Sequence, residues 1–246
     1  MTLAPESDRA CRADRLASFA LLCSHISHGL RNPLSAILLN AQMAMLLLKD
    51  GSPLRGHLQD ILLGAQKMES YLERLQQLAK PGPPEKMPFA LSDLADQALK
   101  IARGKVGAAE VRVFADWQTD VPRASCDPLQ IRQALVHLLA NALEALPPDG
   151  ELRLTCRWAA PAACAGGPGV IELQIEDSGC GISRQHLTKI FDPFFTTKPN
   201  RDGLGLTVAW LLLEANGGSI QVESELGRGT RLIVRVPAIS AAGRAP

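Results

Sequence analysis

Two stretches early in the chain carry apolar residues at alternating spacings of three and four. In residues 16–48 these are Phe19, Cys23, Ile26, Leu30, Ile37, Ala41, Ala44 and Leu48, a spacing that predicts one long helix with a seam close to a coiled coil. Leu54, Leu58, Ile61, Leu62, Met68, Leu72, Leu75 and Leu78 predict a second helix, and Lys49-Asp50-Gly51-Ser52-Pro53 between them is a cluster of turn formers. Such a hairpin has a wide apolar face that it cannot cover from within. Packing on the rest of the chain would cover it, as would a second copy closing a four-helix bundle, and the dimer is the expectation. Pro81-Gly82-Pro83-Pro84-Glu85-Lys86-Met87-Pro88 then stops any helix and reads as a semi-rigid linker.

Beyond the linker the periodicity switches between helix and strand. Ser92 is a candidate cap for a helix through Lys100, and Val111–Phe114 is short and β-rich. Asp127 as cap with Pro128 in the first turn predicts a helix to about Leu146. Strands are predicted over 151–157 and 170–176, separated by an Ala/Gly/Pro loop, then a helix over 205–215 and strands over 219–223 and 230–236. The predicted fold class is α+β. An N-terminal helical hairpin forms a dimeric four-helix bundle, and an α/β sandwich with helices on one side of a mixed sheet follows. The expected organisation is a tail at 1–15, a hairpin domain at 16–80, a linker at 81–88, a second domain at 89–240 and a tail at 241–246.

Composition narrows the function. The 246 residues are 46% hydrophobic and carry 26 basic against 25 acidic side chains, so the basic footprint of a dedicated nucleic-acid binder is missing. The longest apolar stretch, Ala36–Leu48, is interrupted by Asn40 and Gln42 and falls short of the ~20 residues of a membrane span. The first fifteen residues are rich in charge with no apolar run, so no signal peptide is expected. Six cysteines at irregular spacing, with no C-x-x-C, suit reduced thiols in a cytoplasmic protein.

Three segments carry residue types suited to nucleotide chemistry. Asp177 ends a predicted strand and begins Asp177-Ser178-Gly179-Cys180-Gly181. A carboxylate there can accept from a purine's exocyclic amine while Gly179 and Gly181 let the backbone approach the ring, although Asp and Gly also make ordinary turns. Gly203-Leu204-Gly205-Leu206 opens a predicted helix, whose free N–H groups and dipole favour a phosphate. Asn141 is an amide among Leu and Ala in a predicted helix. It is either a solvent-facing residue or an oxygen ligand for Mg2+.

The order of these segments resembles the ATP-binding domain shared by sensor histidine kinases and their relatives, over residues 88–240. Residues 137–145 resemble the N-box, 177–182 the first glycine box, and Lys189-Ile190-Phe191-Asp192-Pro193-Phe194-Phe195-Thr196-Thr197-Lys198 the F-box. Residues 203–206 resemble the second glycine box and Gly227-Arg228-Gly229-Thr230 the closing G-x-G-T. The resemblance implies a Bergerat-type ATP site in which Asp177 reads adenine, with Thr230 supporting it through water. It also implies that Asn141 holds Mg2+ and that Lys198 and the backbone at Leu204–Leu206 meet the phosphates, with residues 191–203 a mobile lid.

In the hairpin, Ser27-His28-Gly29-Leu30-Arg31-Asn32-Pro33-Leu34 resembles the H-box of histidine kinases and makes His28, rather than His25, the phosphoacceptor. Helical geometry agrees, since His28 lies about 200° around the helix from Ile26 and faces away from the seam. Pro33 and Gly29 together cost about 4 kcal/mol in a helix interior, which suits a kink beside a reaction site better than packing.

Three positions depart from the family pattern. Gly29 stands where an acid usually follows the phosphoacceptor, and losing a positioned general base costs roughly 10²–10⁴-fold. Asn32 is retained at a position that orients water for dephosphorylating the partner. His137 replaces a common Asn, which argues against hydrolysis of the gyrase type, and Arg201-Asp202 replace a common Gly-Thr.

The resemblance implies a homodimeric, ATP- and Mg2+-dependent protein-histidine kinase. His28 and Asn32 would be catalytic, and the partners would be a response-regulator receiver domain and a sensory protein or domain outside this chain. A kinase-like phosphotransfer scaffold or regulator phosphatase is the alternative that Gly29 favours.

Overall fold

A computed structural model describes residues 30–49, 52–79, 82–107, 111–159, 169–198 and 201–239. They fall into two compact units, one helical and one α/β, divided between residues 80 and 81.

The helical unit is a pair of helices, α1 described over 30–47 and α2 at Leu54–Ala79. Ser52 opens α2, its Oγ accepting from Leu54 N–H and its carbonyl from Arg55 N–H. Leu34, Ala65 and Leu72 are buried together with Leu38 against them, and Ala41 is buried one turn further along α1. Ala41 and Leu72, both expected in the apolar stripes, are thus buried within the hairpin. Leu30 and Ile37, read as seam residues, are about half exposed, as are Ile61 and Met68 on α2. On each helix these residues share one broad apolar face, of which one flank meets the other helix and the adjoining flank does not. Asn32 is exposed on α1. His28, with His25 and Gly29, lies outside the described residues.

The α/β unit matches the predicted class. Its five-stranded sheet has the order β2-β4-β5-β7-β6, with β2 at Arg112–Trp117, β4 at Glu151–Ala159, β5 at Val170–Asp177, β6 at Ser219–Glu225 and β7 at Gly229–Pro237. β2 runs parallel to β4 and the other pairs are antiparallel, so the sheet is mixed. Leu152, Leu154 and Cys156 of β4 and Ile171, Leu173 and Ile175 of β5 alternate inward and are buried, the period-2 signature of a sheet with one covered face. The opposite face carries cross-strand charge pairs such as Arg235 with Glu172 and Arg231 with Glu223.

Three helices supply the covering layer: α3 at Leu91–Val106, α4 at Pro128–Ala145 and α6 at Gly205–Ala215. α4 packs between the other two. Asp127 caps α4, its Oδ1 accepting from Leu129 N–H at 2.9 Å and Gln130 N–H at 3.1 Å, worth about 1 kcal/mol. Asn216, fully buried at the end of α6, accepts from Asp127 N–H at 2.7 Å and donates to Gln130 Oε1 at 2.8 Å. The end of α6 is thereby fastened to the start of α4.

Short elements differ from the sequence reading. α3 starts at Leu91 behind Ala90, not at Ser92. Leu91 is almost fully buried, and burying a leucine, at roughly 1.5–3 kcal/mol, outweighs a serine cap. β1 (Met87–Phe89) pairs with β3 (Ala124–Cys126), so the proline-rich stretch read as linker ends in a strand. A single-turn α5 at Arg184–Leu187 was also not anticipated.

Candidate nucleotide site

β5 delivers Asp177 to the end of the sheet, where it pairs in register with Thr230 of β7. Both are buried, at 8% and 9% exposure. Asp177 Oδ1 accepts from Gly179 N–H at 2.9 Å. Burial raises the carboxyl's pKa above its usual value, opposed by the N–H groups of Gly179 and Thr230 and by the charge of Lys198. Asp177 is thus a desolvated acceptor with one oxygen already engaged, held by strand pairing rather than by a flexible loop.

The glycines after it are sterically required. A Cβ at Gly179 would lie 2.5 Å from Ala145 O and 2.7 Å from Asp177 Oδ1. Gly181 has φ +67°, and its Cβ would meet Glu225 O at 2.1 Å, so the loop lies flat between the end of α4 and the β6–β7 turn. Ser224 ties that turn to the loop. Its Oγ accepts from Ile182 N–H at 2.8 Å and lies 2.8 Å from Gly229 O and 3.0 Å from Thr230 Oγ1. Sequence reasoning missed Ser224, because a serine inside a strand carries no local signal.

The other end of the site is built on the last two turns of α4. Asn141 and Glu144, three residues apart, share one helical face. Lys198 Nζ donates to Asn141 Oδ1 at 3.3 Å and to Glu144 Oε2 at 3.1 Å, and Arg201 also pairs with Glu144. Beside them α6 begins behind Gly203 and Leu204, with Gly205 at its first position and Leu206 at its second. Leu204 is buried, and Gly205 faces His137 of α4, whose Nδ1 would lie 3.4 Å from an added Cβ. Thr207 Oγ1 donates to Phe191 O at 3.0 Å, fixing the buried start of the aromatic segment against α6.

One unit therefore gathers Asp177, Gly179, Gly181 and Thr230 at one end and Asn141, Lys198, Gly203, Leu204, Gly205 and Leu206 at the other. The charge of Lys198 is felt at Asp177. The amide oxygen of Asn141 is a hard donor of the kind Mg2+ takes, and a cationic group, the Lys198 ammonium, already sits against it. Among the described residues no helix is long and apolar enough to cross a membrane.

Two family models match the chain in series. Residues 20–84 match the His Kinase A (phospho-acceptor) domain, and residues 126–240 match the histidine kinase-, DNA gyrase B- and HSP90-like ATPase. Among curated relatives, sensor histidine kinase ZraS of Escherichia coli (strain K12) is 29% identical over 230 residues, covering 94% of this chain and 48% of that protein. The chain spans about half the length of that relative. Among solved structures, full-length ShkA in complex with AMPPNP has the same fold at TM-score 0.71 and 22% identity, over 91% of this chain and 47% of that one. The catalytic domain of histidine kinase ThkA aligns at TM-score 0.53 and 26% identity, over 63% of this chain and 96% of that one. A phospho-acceptor domain followed by an ATPase domain of this type, with relatives matched across both, makes the chain a homologue of the sensor histidine kinases.

Proposed function

We propose that this chain is the catalytic core of a sensor histidine kinase. It binds ATP with Mg2+ in the α/β unit and moves the γ-phosphoryl to a ring nitrogen of His28. The bond between the γ-phosphorus and the bridging oxygen breaks, a phosphorus–nitrogen bond forms, ADP leaves, and the imidazole loses its N–H proton. An aspartate of a response-regulator receiver domain then takes the phosphoryl group. The observation that carries this reading is the two-ended site, with a buried strand-held carboxylate at one end and Lys198, Asn141 and the start of α6 at the other.

At the base end, Asp177 Oδ2 is the acceptor for the adenine amine, while Oδ1 stays on Gly179 N–H. Thr230 and Ser224 supply hydroxyls beside it. At the phosphate end, Lys198 neutralises charge and the N–H groups of Gly205 and Leu206, at the head of an 11-residue helix, face the phosphates. Asn141 would hold the divalent cation through Oδ1. When bound, that cation supplies charge neutralisation on the phosphates. The half-exposed apolar stripe of Leu30, Ile37, Ile61 and Met68 supports a homodimer through the hairpins, since a second copy can cover it. The stimulus reaches the core from a sensory protein or domain outside this chain.

A second reading rests on Gly29, which stands where an acid would take the proton from His28. In it the chain relays phosphoryl groups through His28 or, using Asn32, dephosphorylates its regulator. One experiment separates the two. The full chain, His28→Gln and Gly29→Glu are incubated with Mg2+ and γ-labelled ATP, and acid-labile, base-stable label is counted. The kinase reading expects label on the native chain, none on His28→Gln and faster labelling of Gly29→Glu. Tight ATP binding without label would favour the relay or phosphatase reading, and label that survives His28→Gln would place the phosphoacceptor elsewhere.

A further inference from the structure

Glu144 collects two positive charges at the phosphate end. Its side chain is 14% exposed and takes Lys198 Nζ at 3.1 Å on Oε2 and the Arg201 guanidinium on Oε1. Lys198 has further contacts on α4, with Asn141 Oδ1 at 3.3 Å and Asn141 O at 3.4 Å. Glu144 is the partner found for Arg201, which is 50% exposed. Arg201 also stands where the motif this segment resembles carries glycine, so it is a feature of this chain and not of the pattern.

Resting on the nucleotide reading above, we propose that Arg201 is a second phosphate-binding cation, and that Glu144 is its counter-ion, a carboxylate from which phosphates displace it. A guanidinium presents a planar fork that fits carboxylate and phosphate oxygens alike, so one side chain can exchange the first for the second. Releasing Arg201 leaves Glu144, 14% exposed, still paired with Lys198 on Oε2, so no buried charge is left without a partner. A triphosphate brings more charge and more oxygens than one carboxylate and therefore wins the exchange. Arg201 shares Glu144 with Lys198, which puts it at the phosphate end for a nucleotide whose base is seated on Asp177. Glu144 is thus a positioning residue that also competes with the ligand.

The test is equilibrium binding of ATP, ADP and adenosine to the full native chain, Glu144→Gln and Arg201→Ala, by calorimetry at low and high salt. Glu144→Gln is expected to tighten ATP about three- to tenfold and ADP less, with adenosine unchanged. Arg201→Ala is expected to weaken ATP by a similar factor, ADP less, and to flatten the salt dependence of ATP binding. Weaker or unchanged ATP binding in Glu144→Gln would overturn the assignment, as would an Arg201→Ala effect equal for ATP and adenosine. A Glu144→Gln chain that fails to fold leaves Arg201→Ala to decide. If the native chain binds ATP and neither substitution alters it, this assignment fails alone. If the native chain binds no nucleotide, the assignment and the reading under it fall together.

Discussion

The two ends of the site are built on opposite principles. At the base end, Asp177 and Thr230 are 8% and 9% exposed and face each other across a strand ladder. At the phosphate end, Lys198 and Arg201 are 32% and 50% exposed and are held by side-chain ion pairs. A buried acceptor fixed by backbone discriminates by shape and by what it leaves unpaired. Exposed cations on long side chains attract any phosphate, tolerate loose geometry and are screened by salt. On the proposed reading, recognition of the base falls to the sheet and attraction of the phosphates to the helix ends. The two should fail separately when mutated.

Asp177→Asn tests the base end with the largest expected effect. It keeps the shape but removes a charged acceptor, a loss of about 1.5–3 kcal/mol, or roughly 10–100-fold in Kd. The factor should be the same for ATP and adenosine, because both carry the base. The folded carboxyl titrates above its ordinary value, mainly because it is buried. A raised pKa means that folding gains from the protonated form. The gain is present below the unfolded pKa and is lost as pH rises through the folded one. At neutral pH the charge therefore works against folding. Asp177→Asn should melt no lower than the native chain near pH 7, with any advantage shrinking on acidification. Native adenosine affinity should itself fall on acidification, in a window above the ordinary Asp range, where the variant stays flat. Thermal melts and adenosine titrations across pH check both signs. Loss of ATP but not adenosine binding would break the comparison.

Lys198→Ala tests the other end. Its removal should weaken ATP about tenfold at low ionic strength and only about two- to threefold at high salt, since a partly exposed charge is screened. Adenosine affinity should not change. A salt-independent loss, or one shared by adenosine, would mean that Lys198 shapes the site and does not attract the phosphates.

How much of this was legible in the sequence depended on how local each signal is. The start of α4 was readable because Asp127, Pro128 and the apolar period coincide within a few residues, and Asp127 does cap the helix. The start of α6 was readable from Gly203 and Gly205 for the same reason. β1 and β3 were not, because a three-residue strand cannot display alternation and Pro88 points the other way. The hairpin's period and its apolar face were plain, with Ala41 among the residues read there and buried. What periodicity cannot tell is which residues of that face meet the other helix, as Leu34 does, and which are left half exposed, as Leu30 and Ile37 are. In the site, Asp177, Asn141 and Lys198 stood in motifs. The role of Glu144 depends on cations 54 and 57 residues away, a pairing that only the tertiary fold creates.

Ser224 offers the smallest test and the most selective one. Its hydroxyl is the acceptor for Ile182 N–H and the link between the first glycine loop and the turn carrying Gly229 and Thr230. Ser224→Ala leaves a part-buried N–H unpaired, at about 1 kcal/mol. In a domain of this size that lowers the melting temperature by about 2–4 °C. The loop then samples positions that misplace the Asp177 acceptor, so nucleotide affinity should fall about threefold, on the order of half that free energy. ATP and adenosine should lose the same factor, and salt should leave it unchanged. Ser224→Thr, which keeps the hydroxyl, should restore most of both. If Ser224→Ala instead weakened ATP and spared adenosine, the two ends would be mechanically joined through the β6–β7 turn, and the division of labour between sheet and helix ends would have to be given up.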